Sequence, residues 1–347
     1  MPKLNKKYLA LGVLVLQTTV LVLTLRYSRK GHEKDVKYLS STAVAITEVI
    51  KMLISLAVVF GQNDYSVSNF RKQLNREVKF WDTMRLIIPA GLYTVQNNLL
   101  FLALTYLDAA TYQVTYQLKI LTTAMFSVFM LGKSLNRLKW LALLVLMAGV
   151  TLVQWPTDAP ANAATTTHAT ASTRLVGLVA VLIACFSSGF AGVYFEKLLK
   201  KSTQSIWIRN IQLALFGIIF GFGGVFIYDY QPIQQNGFFQ GYNRVTWIVI
   251  LLQAFGGLVV AAVVKYADNI LKGFATSISI IFSTLASYFL LGDFEPAGLF
   301  FVGAPLVITA TFMYGYTPSP IKVADTSRLS IKSSCLSECV SVAWFVG

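Results

Sequence analysis

The stretch AATYQVTYQLKILTTAMFSVFMLG, residues 109–132, has the length and apolarity of a membrane-crossing helix, yet it carries a lysine at its middle. An ammonium at that depth is unfavourable by roughly 2.5–3.5 kcal/mol on insertion scales. Tyr112, Thr115, Tyr116, Lys119, Thr122 and Thr123 follow helical spacing and form one polar stripe. Hydroxyls alone in such a stripe serve helix packing. The lysine needs more, and a cavity wall with Lys119 aimed at an anion supplies it.

Composition extends the membrane reading to the whole chain. Its 347 residues are 55% hydrophobic and 13% charged, with mean hydropathy +0.62. Soluble proteins carry roughly 25% charged residues. Apolar runs recur along nearly the full length and leave no room for a soluble catalytic domain. The N-terminal segment MPKLNKKYLALGVLVLQTTVLVLTLRYSRK starts as a signal peptide does, but its apolar run ends at Arg26 without a small-residue cleavage site, so an uncleaved first span is expected. No N-glycosylation sequon occurs. Cys185 lies in an apolar run, Cys335 and Cys339 in the tail, and His32 and His168 in loops. Reduced cysteines, no metal site and no cofactor are therefore expected.

Apolar windows predict ten spans near 7–26, 38–60, 84–106, 110–131, 137–155, 175–198, 206–229, 245–266, 270–292 and 297–316. The break at Leu107-Asp108-Ala109 is the shortest. An even count puts both termini on one side of the membrane. Fifteen Lys and Arg fall on the terminus side, including Lys6, Arg76, Lys133, Lys200 and Lys201, against seven in the opposite loops. Cationic loops stay cytosolic, which predicts cytosolic termini; the first loop, with five cations, is the exception. Seven further cations, Lys51, Arg85, Lys119, Lys197, Arg209, Lys265 and Lys272, lie in or at the edges of spans, where the acids are Glu48 and Glu196. The interior is rich in cations and short of partners.

The chain also repeats. Tyr106-x-Asp108 precedes a span ending Leu131-Gly132, and Tyr266-x-Asp268 precedes one ending Leu291-Gly292, at a constant offset of 160 residues that also matches Ser127 to Ser287. The Ala/Thr-rich linker 156–174 falls between spans five and six. The expected plan is a first five-helix repeat at 1–155, the lumenal linker, a second repeat at 175–316 and a cytosolic tail at 317–347. An odd number of spans per repeat inverts the second, the plan of many secondary transporters with a midplane site.

Other polar residues carry two readings each. Lys272 shares a face with Thr276, Ser279 and Ser283, and either lines a cavity or snorkels to the nearby span end. Asn210 either bonds across helices or reads a base edge. Gln96, Asn97 and Asn98 cannot all face lipid, so at least one meets a cavity or a neighbouring helix. Glu48 and Lys51, one turn apart, neutralise each other. Gly189, Gly192, Gly256 and Gly257 permit close helix approach and sliding.

Lysines suit phosphate as point charges, tyrosine faces stack on a flat base, and amides read its edge. A nucleotide or nucleotide conjugate meets all three requirements, whereas an inorganic anion needs the lysines alone. A glycosyl- or phosphotransferase would need a metal-holding acidic cluster or a general base, and the acids here are scattered. A proton-coupled exporter would use Glu48 or Glu196.

TYQVTYQLKILTTA, EKLLK with WIRNIQL, GFFQGYNRVTW and VKYADNILKGFATS resemble the nucleotide-sugar transporters of the Golgi membrane, in the branch that carries UDP-N-acetylglucosamine, UDP-galactose and CMP-sialic acid. The similarity runs over residues 1–316, and SIWIRNIQLALFG and NGFFQGYNRVTWIV are most similar to the UDP-N-acetylglucosamine carriers. The resemblance implies ten helices in a drug/metabolite-transporter arrangement, cytosolic termini, and exchange of cytosolic UDP-sugar for lumenal UMP without covalent chemistry. It places Tyr112 and Lys119 at the nucleotide site, with Asn210 and Lys272 contacting the nucleotide from the second half. Gln96 and Asn97 border the cavity, and Glu48 and Lys51 lie nearby. Partners are the UDP-sugar, UMP and the bilayer, with a homodimer or glycosyltransferase complex left open. The linker and the tail ending SSCLSECVSVAWFVG depart from the family pattern.

Overall fold

The computed structural model describes residues 6–30, 38–155, 171–201, 203–291 and 298–316. The linker through residue 170, the tail 317–347 with Cys335 and Cys339, His32, His168 and Gly292 lie outside the described residues. The described residues form fourteen helices: α1 (Lys6–Lys30), α2 (Ser40–Gly61), α3 (Val67–Glu77), α4 (Phe80–Met84), α5 (Ile87–Tyr106), α6 (Ala109–Tyr116), α7 (Leu118–Leu131), α8 (Arg137–Val153), α9 (Ala171–Lys201), α10 (Ile206–Tyr228), α11 (Tyr230–Asn236), α12 (Arg244–Tyr266), α13 (Asn269–Leu291) and α14 (Gly298–Gly315). It is an all-α polytopic membrane protein. Among the described residues nine segments are long and apolar enough to cross a bilayer. The expected fifth span, α8, has 17 residues, about 25 Å of helix.

Three expectations about boundaries change. The span predicted at 110–131 is two helices, α6 and α7, joined at Gln117. The span predicted from 84 begins as the short α4, with α5 starting at Ile87. Pro89 then sits in the first turn of α5, where its missing N–H costs no helical bond. The sixth helix begins at Ala171, inside the stretch read as linker.

Packing follows small residues. α8 lies on α14, where a Cβ on Gly303 would meet the Gly149 carbonyl oxygen at 2.7 Å and the Val153 backbone nitrogen at 2.8 Å. Both obstacles are backbone and cannot rotate away. Gly303→Ala is therefore expected to lower the melting temperature by an overpacking cost of about 1–3 kcal/mol. Gly223→Ala, with nothing within 4 Å, serves as the control that leaves it unchanged. α2 packs on α10, α5 and α7 on α9, and α1 on α12 and α13. The core between α7, α8, α13 and α14 holds Leu143, Leu146, Phe274 and Val307.

The Tyr-x-Asp turns share one hydrogen-bond pattern. Leu107 N–H donates to Ala103 O at 2.9 Å, and Ala267 N–H to Val263 O at 2.7 Å. Asp108 then accepts from Thr111 N–H at 2.9 Å, and Asp268 from Leu271 N–H at 2.7 Å. Each aspartate caps the following helix. The Thr111 N–H also holds the Asp108 carboxyl below its ordinary pKa. Lys6 lies 5.8 Å from the Tyr266 ring centroid and Lys139 5.7 Å from that of Tyr314, so the start of α1 meets the end of α12, and the start of α8 the end of α14. An ion pair from Lys133, between α7 and α8, to Asp268, just past α12, joins the two sets into one terminal face.

Candidate functional site in the broken fourth span

α6 carries Tyr112 and Tyr116 one turn apart, and their rings stack with centroids 5.8 Å apart and planes at 13°. The helix then breaks without proline or glycine. Gln117 N–H is shared between the carbonyls of Gln113 at 3.3 Å and Val114 at 3.2 Å, and Ile120 N–H closes a tight turn onto Gln117 O at 3.0 Å. Tertiary contacts hold the break. The buried Gln117 side chain donates to Gln154 Oε1 at 3.2 Å, at the end of α8. Cys185 on α9 points its thiol at the carbonyls of Thr115 and Tyr116, at 3.7 and 3.5 Å. Thr122 returns a bond to Cys185 O at 2.9 Å.

Lys119 follows immediately, with Nζ 4.0 Å from the centroid of the Tyr116 ring. Gln96 on α5 donates to the Tyr116 hydroxyl at 3.4 Å. A desolvated cation over an aromatic face gains about 2 kcal/mol, so part of the compensation Lys119 needs is built into its own helix. Tyr116 is the hub of the group, and the sequence reading gave it no separate role. The signal was present: a tyrosine three residues before a buried lysine lies on the same helix face.

Lys272, in the first turn of α13, is half-buried. Its helix packs on α7, which carries Lys119. Among the described residues neither lysine makes an ion pair. The hydroxyls of Thr276, Ser279 and Ser283 donate to carbonyls three residues back in their own helix.

The remaining candidates divide. Glu48 and Lys51 pair with each other at 2.5 Å, and Lys51 is buried against Gly257. Asn210 is buried and donates to Ile206 O, one turn back, at 3.1 Å, so its amide bonds within its own helix. Gln96 is buried, whereas Asn97 and Asn98 are exposed. A Cβ on Gly189 would meet the backbone of Thr122 and Thr123 at 2.9 and 3.0 Å, on Gly192 the Asn269 amide, and on Gly256 the Gln17 amide.

Glu196, one of the two acids read within the spans, is the centre of a network. It is fully buried, lies 2.9 Å from Lys133 and 2.8 Å from Lys200, and accepts from Asn269 N–H at 2.9 Å. Lys133 also pairs with Asp268 at 3.3 Å. The network ties the segment after α7 to α9 and α13 on the terminal face. Lys200 was legible at four residues' spacing; Lys133, 63 residues away, was not.

The comparisons with known proteins identify the family. A family model described as nucleotide-sugar transporter matches residues 2–315. The UDP-N-acetylglucosamine transporter of Rattus norvegicus is 60% identical over 318 residues, 91% of this chain and 97% of its own length. The UDP-N-acetylglucosamine/UDP-N-acetylgalactosamine transporter nstp-4 of Caenorhabditis elegans is 55% identical over 90% of this chain and 94% of its own. The UDP-galactose translocator of Bos taurus is 46% identical over 95% and 82%. A chain of known crystal structure shares the fold with a TM-score of 0.60 at 16% identity, covering 87% of this chain and 94% of that one. These relatives are transporters rather than enzymes, and the chain belongs to the nucleotide-sugar transporter family.

Proposed function

We propose that this chain is a Golgi antiporter that exchanges cytosolic UDP-N-acetylglucosamine for lumenal UMP by alternating access. One observation carries the reading: two half-buried lysines, on helices α7 and α13 that pack together, have no ion-pair partner among the described residues. A UDP-sugar carries two negative charges, and UMP nearly two at neutral pH, since its second pKa is about 6. Either cargo neutralises the pair. An empty site leaves two ammonium groups facing each other, which disfavours return without cargo and couples the two fluxes. Lys119 and Lys272 hold phosphate, Tyr112 stacks on the uracil, and Asn210 meets the base or ribose. Gln96 and Asn97 border the cavity, with the neutralised Glu48–Lys51 pair beside it.

The architecture proposed is ten spans in two inverted five-helix repeats, with α8 as the fifth span. Its support is that the most extensively packed helix pairs map onto one another when every span is advanced by five. The contacts of α1 with α12 and α13 correspond to those of α9 with α5 and with α6–α7, while α2–α10 and α8–α14 map onto themselves. Cytosolic termini rest on the excess of lysine and arginine on the terminal face. The Lys133 contacts with Glu196 and Asp268 cross between the halves on that face and must break when the halves rock.

A proton-coupled exporter is the second reading. It is disfavoured because both candidate carboxylates, Glu48 and Glu196, are already committed to lysines. The test of cargo is exchange in proteoliposomes across UDP-N-acetylglucosamine, UDP-N-acetylgalactosamine, UDP-galactose and CMP-sialic acid, with and without a pH gradient. UDP-N-acetylglucosamine is expected to exchange fastest, with rates indifferent to the gradient. Faster CMP-sialic acid exchange, or dependence on the gradient, contradicts the assignment.

A further inference from the structure

A basic cavity lies apart from the tyrosine–lysine site. It is a cleft of about 740 Å³ on the terminal face, between α3–α4 of the first half and α9–α10 of the second. That volume lies within the usual range for small-molecule pockets. Six cations line it: Arg76, Lys79, Arg85, Lys197, Lys201 and Arg209. Two carboxylates also line it, and both are engaged. Asp82 pairs with Arg85 at 3.2 Å, and Glu77 accepts from Gln73 Nε2 at 2.8 Å and from Ser205 N–H at 3.2 Å. Lys79, Lys197 and Lys201 make no ion pair among the described residues.

The second observation is Arg209. It is 4% exposed, and its Nη1 donates to Asp82 O at 3.3 Å and Gln212 Oε1 at 3.2 Å. Its Nε–H has no partner among the described residues. A buried guanidinium donor left open in the wall of a basic cleft asks for an acceptor from outside the protein. Arginine forks and lysine point charges together are the donor set that recognises phosphate oxygens.

We propose that this cleft is a second phosphate-binding site, separate from the tyrosine–lysine group, taking the phosphates of a soluble nucleotide or the phosphorylated headgroup of a lipid. The first source deepens the exchange reading and rests on it. Cargo arriving at the terminal face meets the cleft first, and α9 leads inward from it through Tyr194, stacked on Phe190 at 5.7 Å, to the helix that packs on α7. The second source fits the rim. Phe80 and Trp81 are 66% and 76% exposed, beside the amphipathic α3 with its exposed Arg71, Lys72 and Arg76. Such a basic amphipathic segment lies in the headgroup layer of an anionic leaflet.

The test uses the full-length protein in phosphatidylcholine nanodiscs and follows the melting temperature as inorganic pyrophosphate is titrated. A saturable rise is expected in the wild type and in Lys119→Ala. The double variant Lys79→Gln/Lys201→Gln replaces two exposed side chains and keeps the unliganded melting temperature, but its apparent Kd is expected to rise by about tenfold. Arg209→Gln is expected to weaken the response in the same direction. In a second arm, part of the phosphatidylcholine is replaced by phosphatidylinositol 4-phosphate. A rise that the double variant loses assigns the site to lipid headgroups, and a pyrophosphate response without a lipid response assigns it to soluble phosphate. Absence of a response to both probes in the wild type, or an apparent Kd that the double variant leaves unchanged, overturns the proposal. Neither arm requires transport, so failure here is separable from failure of the exchange reading.

Discussion

Alanine at Lys119 is expected to reduce UDP-sugar exchange by roughly thirtyfold to several thousandfold while leaving the protein folded. Truncating one partner of a buried charge pair costs about 2–5 kcal/mol, and each 1.4 kcal/mol is tenfold. The expected stability change has the opposite sign. Removing a midplane ammonium relieves roughly 2.5–3.5 kcal/mol of insertion cost, against about 2 kcal/mol lost with the contact to the Tyr116 ring. Melting temperature should therefore hold or rise slightly as exchange collapses. A lysine that only supports packing would lower both together. Lys119→Arg keeps the charge but replaces a compact ammonium with a planar fork, so exchange should be partly retained. Kinetics against UMP and UDP-sugar, alongside thermal melts in the same detergent, read all of these outcomes.

Glu196→Ala is expected to have the largest effect on stability, about 3–5 kcal/mol. The substitution strips Lys133 and Lys200 of their shared carboxylate and leaves the Asn269 N–H without its acceptor. All of these groups lie close to a fully buried position. Glu196→Gln retains an acceptor for the N–H but not the charge, so its loss should be intermediate. Thermal unfolding of both variants checks the order. Wild-type melting of Glu196→Ala would mean that the lysines find other partners and that the network is ornamental to the fold.

The spans were legible because the bilayer imposes one simple rule. A chain that must bury every backbone polar group in lipid writes its helices as long apolar runs. The helix read at 206–229 is Ile206–Tyr228, and the one read at 245–266 is Arg244–Tyr266. The Tyr-x-Asp turns were legible for a different reason, since aspartate caps act within four residues. What failed to show was tertiary. Gln117 is an ordinary helix former, and the span breaks there because Gln154 and Cys185, 37 and 68 residues away, hold the groups around it. α3 carries no long apolar run and escaped a search tuned to spans; its Ser66 cap, accepting from Asn69 N–H at 3.5 Å, was the available sign.

The site divides along the same line. Lys119 and Tyr112 stood out because a charge and a ring in an apolar run are locally anomalous. The pairing of Glu48 with Lys51 was legible at three residues' spacing and is present at 2.5 Å. The packing of α13, with Lys272, on α7, with Lys119, joins helices far apart in the chain. No local pattern encodes it, and only the 160-residue repeat hinted that α13 and the fourth span occupy related places. Lys133 was read as a topology signal, since a cation in a loop satisfies that rule whether or not it also pairs. The Glu196 network shows it doing both.

The central claim is that a lysine pair moves only when neutralised by cargo. It is tested most directly by uptake of labelled UDP-N-acetylglucosamine into proteoliposomes preloaded with UMP, compared with empty ones. The expected result is rapid uptake with UMP inside and near-background uptake without it, both lost in Lys119→Ala. Equal uptake into loaded and empty vesicles would contradict it.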